Sequence, residues 1–216
     1  MLPGKRSLLV ALVLVACSTG GLEPAAMIEA GDLVPYRTLS RQDFKGVDPP
    51  PALAAYRDRL GAATCGLILP ADKAQIRARR TSGGAVEVVV TNLSFVAKMD
   101  RSCSWWNDRQ DSQTEEYVLE HEQIHFALFE LEVRRLNAEL RRTDGQLRAT
   151  AATAQQAQSA TQNKMRALLQ DAQARALERS RQFDEDTSMS LNVEKQREWR
   201  DRVAQELARP ADRAAP

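Results

Sequence analysis

The sequence predicts an α+β fold: a small antiparallel or mixed sheet packed on one functional helix, followed by a long helical arm and a C-terminal helix. Three observations lead there. Residues 33–100 are strand- and turn-like, residues from 112 onward are helical almost without interruption, and both histidines of the 216-residue chain fall in one pentapeptide. With 43% hydrophobic residues and 30 basic against 29 acidic side chains, the composition suits one medium domain and not a wholly disordered chain. A formal charge of +1 creates no field for a polyanion, so composition gives no support to nucleic-acid binding.

In chain order, residues 1–16 hold Lys5 and Arg6, then an apolar run over 8–16, then Cys17. That run is far shorter than the roughly 20 residues needed to span a bilayer, so it reads as the core of a signal peptide. Leu14-Val15-Ala16-Cys17 resembles the lipobox of bacterial lipoproteins. The resemblance implies cleavage before Cys17, lipidation of Cys17, and a linker over 17–32; an ordinary secretory signal with an incidental cysteine is the competing reading. Ser18 and Thr19 stand where an aspartate would argue for inner-membrane retention, which in a Gram-negative cell implies an outer-membrane anchor facing the periplasm. No second apolar segment approaches spanning length, so the membrane is reached only through the lipid. Without Lys5 and Arg6 the chain keeps 28 basic against 29 acidic residues, a net charge of −1.

The remaining cysteines, Cys65 and Cys103, are an even pair in an oxidising compartment and are expected to form a disulfide. Two free thiols acting as metal ligands would be the alternative, but there is no Cys-x-x-Cys spacing.

Within 33–100, short apolar stretches at 33–39 and 63–69 are separated by Asp48-Pro49-Pro50-Pro51. Residues 74–80 alternate, Ser82-Gly83-Gly84 turns the chain, and 85–97 (AVEVVVTNLSFVA) is the most strand-like stretch in the sequence. About three or four strands in one sheet are expected, with 91–96 a candidate edge for an extended peptide.

After Trp105-Trp106 the pattern turns helical. Ser112, Gln113 and Thr114 are N-cap candidates ahead of Glu115 and Glu116, and the helix should run over 112–142 until Thr143-Asp144-Gly145 interrupts it. Residues 146–182 contain no aromatic, proline or glycine. Leu147, Ala151, Ala154, Gln158, Thr161, Met165, Leu168 and Ala172 fall at alternating spacings of four and three there. This arm, with a final helix near 191–207, completes a domain over 33–208; residues 209–216 form a tail.

The chemistry lies in His121-Glu122-Gln123-Ile124-His125. The i, i+4 spacing puts both imidazoles on one helical face, where they can ligate one zinc ion. Glu122 is turned by about 100° around the axis, beside the metal, where it can act as general base on a water that zinc activates. A catalytic zinc site needs a third protein ligand. Position 131 is Leu, so a third histidine six residues past His125 is excluded, and a carboxylate is expected. Glu132 shares the histidine face but sits about 10 Å along the axis from His125, and Glu130 points away. The ligand should therefore come from another segment. The cluster Asp184-Glu185-Asp186 is best placed, with Asp184 a candidate third ligand.

Several segments together resemble the DUF922 family of secreted, zincin-type zinc proteases, most without an assigned substrate. They are Leu39-Ser40-Arg41-Gln42-Asp43-Phe44-Lys45-Gly46, the prolines at 49–51, Ala63-Thr64-Cys65-Gly66, the Trp105 region, the pentapeptide with Phe126, Glu130 and Arg134-Arg135-Leu136, and Phe183 to Thr187 with Gln196 to Trp199. The likeness spans roughly 33–208 and implies a zincin-like fold. One motif departs: the family's Tyr-Asp-x-x-Thr-x-His-Gly corresponds here to Phe183, Asp184, Thr187, Met189 and Ser190. A methionine is a weak zinc ligand, and a phenylalanine cannot donate to an oxyanion. Either loss implies weakened catalysis unless Asp184 or a neighbour takes the ligand position.

The resulting expectation is a lipid-anchored envelope zinc metallopeptidase acting on peptide or protein substrates, with His121 and His125 as ligands and Glu122 as base. The alternative is a non-catalytic envelope lipoprotein whose helical arm binds a protein partner, its metal structural or absent.

Overall fold

A computed structural model describes residues 30–109 and 114–210. Cys17, the signal and most of the linker lie outside the described residues, as do Ser112, Gln113 and the end of the tail. No helix among the described residues is long and apolar enough to cross a membrane.

The α+β expectation holds, but the strands are more numerous and more divided than the sequence suggests. Among the described residues eight short strands form three small sheets, every pair antiparallel. The first sheet orders β1 (Leu33–Pro35), β6 (Phe95–Asp100) and β3 (Gly66–Pro70), with β6 in the middle. The second orders β4 (Gln75–Arg80), β5 (Val86–Thr91) and β8 (Leu147–Ala151). β2 (Ala62–Ala63) and β7 (Trp105–Trp106) make a two-stranded ribbon.

Two sequence expectations are corrected. The run over 85–97 is not one strand: Asn92 adopts a left-handed φ of 54°, tolerable for asparagine, and the chain turns there from one sheet into another. Residues 91–96 consequently span the end of β5, the turn and the start of β6. Both strands are central in their sheets, so this segment offers no free edge. The second correction concerns 147–151, expected as helix. Gly145, with φ 63°, precedes this segment and the N-cap Thr153 follows it, leaving room for a short strand that satisfies the backbone of β5. Of the proposed four-three seam, Leu147 and Ala151 lie in β8 and Gln158 is exposed; the buried face runs Ala157, Thr161, Leu169, Ala172, Ala176, Ser180 and Phe183.

The three helices are delimited by their caps. In α1 (Glu115–Arg141) the Thr114 side chain accepts from Tyr117 N, and Glu115 and Glu116 suit the positive end of the helix dipole. α2 (Ala154–Asp186) is capped by Thr153, and α3 (Val193–Ala208) by Asn192, whose side chain accepts from Lys195 N. α1 packs on the first sheet, α2 covers β5, β8 and one flank of α1, and α3 lies along α1.

The main core joins Phe95, Met99, Phe126, Phe129, Leu136 and Leu169, with Ala172 and Ala176 letting α2 approach closely. A second cluster joins Ile124, Leu128, Phe183, Trp199 and Val203 where the three helices meet. Side-chain amides secure the backbone between helix and strand. Asn137 donates to Phe95 O (2.9 Å) and accepts from Phe95 N (2.8 Å), opposite Pro70, which has no N–H to offer. Gln173 bonds Ile68 N and Gly66 O along the outer edge of β3. Gln123, inside the histidine motif, accepts from Leu39 N at 2.7 Å and donates to Arg37 O at 3.3 Å. β4, by contrast, is exposed at every residue.

The expected disulfide is present: Cys65 and Cys103 join the start of β3 to the turn after β6, with Cα atoms 5.8 Å apart. At Gly66 next to it, a Cβ would stand 2.6 Å from the Phe129 ring, so β3 and α1 touch through the absence of a side chain. Gly66→Ala is expected to lower unfolding free energy by about 1–3 kcal/mol through overpacking. Replacing both cysteines by alanine should cost about 3–4 kcal/mol for the 38-residue separation. Denaturant titration checks both, and a Gly66→Ala protein as stable as the parent would contradict the packing described.

Candidate metal centre

His121 and His125 stand one turn apart on α1, and the helix geometry turns both rings to one side. Their Nε2 atoms are 3.2 Å apart. Asp184, from the last turn of α2, brings its Oδ1 to 3.2 Å from His121 Nε2 and 3.1 Å from His125 Nε2. The two histidines and the aspartate can hold a metal ion together, and among the described residues they are the only such group of His, Cys, Asp and Glu. The carboxylate comes from inside α2, which continues past residue 182, and not from a loop behind it.

Each acid of the 184–186 cluster has a separate role. Glu185 is paired with Arg181, and Asp186 accepts from Trp199 Nε1 at 2.9 Å, so Asp184 alone faces the histidines. Phe183, fully buried, stacks on His121 with ring centroids 4.4 Å apart and meets His125 edge-on at 5.0 Å, with Trp199 behind it at 5.5 Å. The second hydrophobic cluster thus forms the wall that orients both imidazoles. The His125 and Asp184 side chains retain 13% and 27% exposure, so the centre is reachable from one side.

Met189, at the position where the DUF922 motif that the sequence resembles has a histidine, does not join the group. Its side chain packs against Leu60, Ala63 and Trp105. Ser188, Met189 and Ser190 all have positive φ, 51°, 56° and 66°, a left-handed run costly for non-glycine residues. It carries the chain from α2 to α3 while Met189 N donates to Asp184 O at 2.8 Å. Glu132, excluded as a ligand by its distance along α1, is buried and bound by Arg175 at 2.9 Å, with Arg135 at 3.8 Å. Glu122 is buried too, and its Oε2 has no hydrogen-bond partner.

The electrostatics describe a site that wants a cation. Burial opposes ionisation of Asp184, but the two imidazoles hold its carboxyl well below the usual carboxylate range. Burial likewise disfavours charge on His125; the Asp184 carboxylate, its hydrogen bond and the charge of Glu122 outweigh that and push the ring up to about 9. A proton on His125 Nε2 can be donated toward Asp184 Oδ1, satisfying two lone pairs that otherwise face each other.

Sequence reasoning brought His121, Glu122, His125 and Asp184 into one proposal and gave no role to Gln196, whose Oε1 lies 3.0 Å from His121 Nδ1. A signal was present: Gln196, Trp199 and Val203 form the buried stripe of α3, and a glutamine in an apolar stripe asks for a partner. Compared against protein-family models, curated proteins and solved structures, the chain matches none. The site itself therefore defines the class: an α+β protein with a His-His-Asp centre able to hold a metal ion.

The pH dependence follows from His125. Its folded-state pKa lies above the ordinary ring value of 6.5, so its pairing stabilises fully below that value and is lost as pH rises through about 9. With chelator present, the melting temperature is expected to fall across that window. A bound divalent metal competes with the same proton, so its affinity should rise over the same window, with about one proton released per ion at neutral pH. Calorimetry in buffers of different ionisation enthalpy measures this release, and its absence would contradict the assignment of His125 as a ligand.

Proposed function

We propose that the protein is a zinc metallopeptidase of zincin type, related to the DUF922 proteases and anchored in the cell envelope through Cys17. The observation that carries this reading is the convergence of His121 Nε2, His125 Nε2 and Asp184 Oδ1, with the buried Glu122, whose Oε2 has no hydrogen-bond partner, next to His121 in the same helix.

The residues fit the ion. Zinc takes nitrogen and oxygen ligands at about 2.0–2.1 Å, so two ligands of a tetrahedron stand about 3.3 Å apart. The three atoms here are separated by 3.1–3.2 Å. Two imidazoles and one carboxylate are also the donor types of catalytic zinc sites that keep a fourth position open. Zinc, when bound, supplies a Lewis acid that polarises a peptide carbonyl and makes water acidic enough to lose a proton near neutral pH.

The chain's own residues do the rest. Glu122 lies on the adjacent face of α1, where a buried carboxylate oxygen without a partner is free to accept the proton of an attacking water. The same group then returns that proton to the amine leaving from the cleaved bond. Phe183 fixes the histidine rings but offers no hydroxyl to a developing oxyanion, which favours a slow enzyme or a second reading in which the centre is structural.

Glu122→Gln separates the two. It should leave one zinc ion bound per chain while reducing peptide cleavage by at least ~100-fold, within the range expected on removing a general base. His121→Ala, His125→Ala and Asp184→Ala should each lose stoichiometric zinc, measured by metal analysis of purified protein. Cleavage that survives Glu122→Gln, or no zinc in the parent protein, would sink the peptidase reading.

A further inference from the structure

An imidazole ligates a metal through the ring nitrogen that lacks the proton, so the partner of its other nitrogen decides whether it is ready to bind. For His121 that partner is Gln196, a fully buried residue of α3, an element that contributes none of the three candidate ligands.

The orientation of the Gln196 amide follows from its surroundings. Its Nε2 lies 3.1 Å from the carbonyl oxygen of Tyr117 and 3.2 Å from Glu120 Oε1. A backbone carbonyl and a carboxylate only accept, so the NH2 group must face them. Glu120 is held in turn by Arg200, whose Nη1 donates to its Oε2 at 3.3 Å. With the amide nitrogen committed, Oε1 is the atom turned to His121 Nδ1 at 3.0 Å. An amide oxygen also only accepts, so Nδ1 carries the proton. In the neutral ring the lone pair of His121 is then on Nε2, the atom that faces His125 and Asp184.

We propose that Gln196 is a positioning residue for the metal centre: it locks His121 in the Nδ1–H tautomer, and the Tyr117 carbonyl with Glu120 keeps its amide the right way round. This inference rests on the metal-centre reading and deepens it, because it makes α3 part of the centre without supplying a ligand. The bland competitor is that Gln196 merely fills space beside Trp199, which a methionine would do as well.

Two measurements on the full-length protein decide. Long-range 1H–15N correlation spectra, recorded above the range where imidazole is ordinarily protonated, should show His121 as the Nδ1–H tautomer in the parent and a mixture in Gln196→Met. Zinc affinity by chelator competition should fall about 10- to 100-fold in Gln196→Met, the usual effect of removing a ligand's hydrogen-bond partner. Gln196→Glu combined with Glu120→Gln, which keeps an acceptor toward Nδ1 and lets the new amide at 120 donate to the carboxylate at 196, should retain the tautomer and most of the affinity; it also serves as the informative variant if Gln196→Met does not fold. An Nε2–H tautomer in the parent, or zinc affinity within twofold of the parent in Gln196→Met, would overturn the proposal. Absence of zinc binding in every variant would instead defeat the metal-centre reading, and the tautomer spectra would still decide the role of Gln196.

Discussion

His121 and His125 from α1 and Asp184 from the end of α2 aim electron pairs at one another across 3.1–3.2 Å. Such atoms repel unless a cation, proton or metal lies among them, so the site is a constraint on where two long helices can end. The surroundings meet that constraint with rigid contacts. Phe183 and Trp199 wall one side, and the Glu132–Arg175 pair ties the same two helices about two turns further along α1. The centre thus lies where the three helices converge on the second hydrophobic cluster, close to the parts of the molecule that deform least.

A second theme is the use of side-chain amides at junctions. Gln123, Asn137 and Gln173 each bond a backbone N–H and a backbone C=O on a partner segment, and Gln196 bonds a backbone carbonyl, a carboxylate and an imidazole. An amide matches the donor–acceptor pair a peptide group presents, so it can replace a neighbouring strand where the chain has none to spare. These helices consequently complete short, irregular sheets that would be marginal alone.

Much of the site was legible in the sequence because helix geometry is local. The i, i+4 spacing fixed the histidine pair, Thr114 was among three cap candidates for α1 and the Asp144-Gly145 stop marked its end, and the distance along that helix excluded Glu132. The 184–186 cluster was reachable by elimination, since the chain has no third histidine, but only the fold separates Asp184 from Glu185 and Asp186. What escaped were non-local decisions. Nothing local in 147–151 announces pairing with β5, and the turn at Asn92 depends on two sheets claiming opposite ends of one β-rich run. Gln196 gains its meaning only when α3 is laid against α1, 75 residues away in sequence from its partner His121.

The exposed strand β4 has a consequence for how molecules meet one another. Its sheet neighbour is β5 on one side, and its other side is the sheet's edge. Along six residues it presents Arg77, Arg79 and Arg80, with Arg79 engaged by Glu87 of β5. Two copies meeting edge to edge at this strand would bring arginines together, a repulsion that works against endless strand-to-strand growth. For a protein built from such small sheets, the charge along its exposed border therefore acts against polymerisation through that edge.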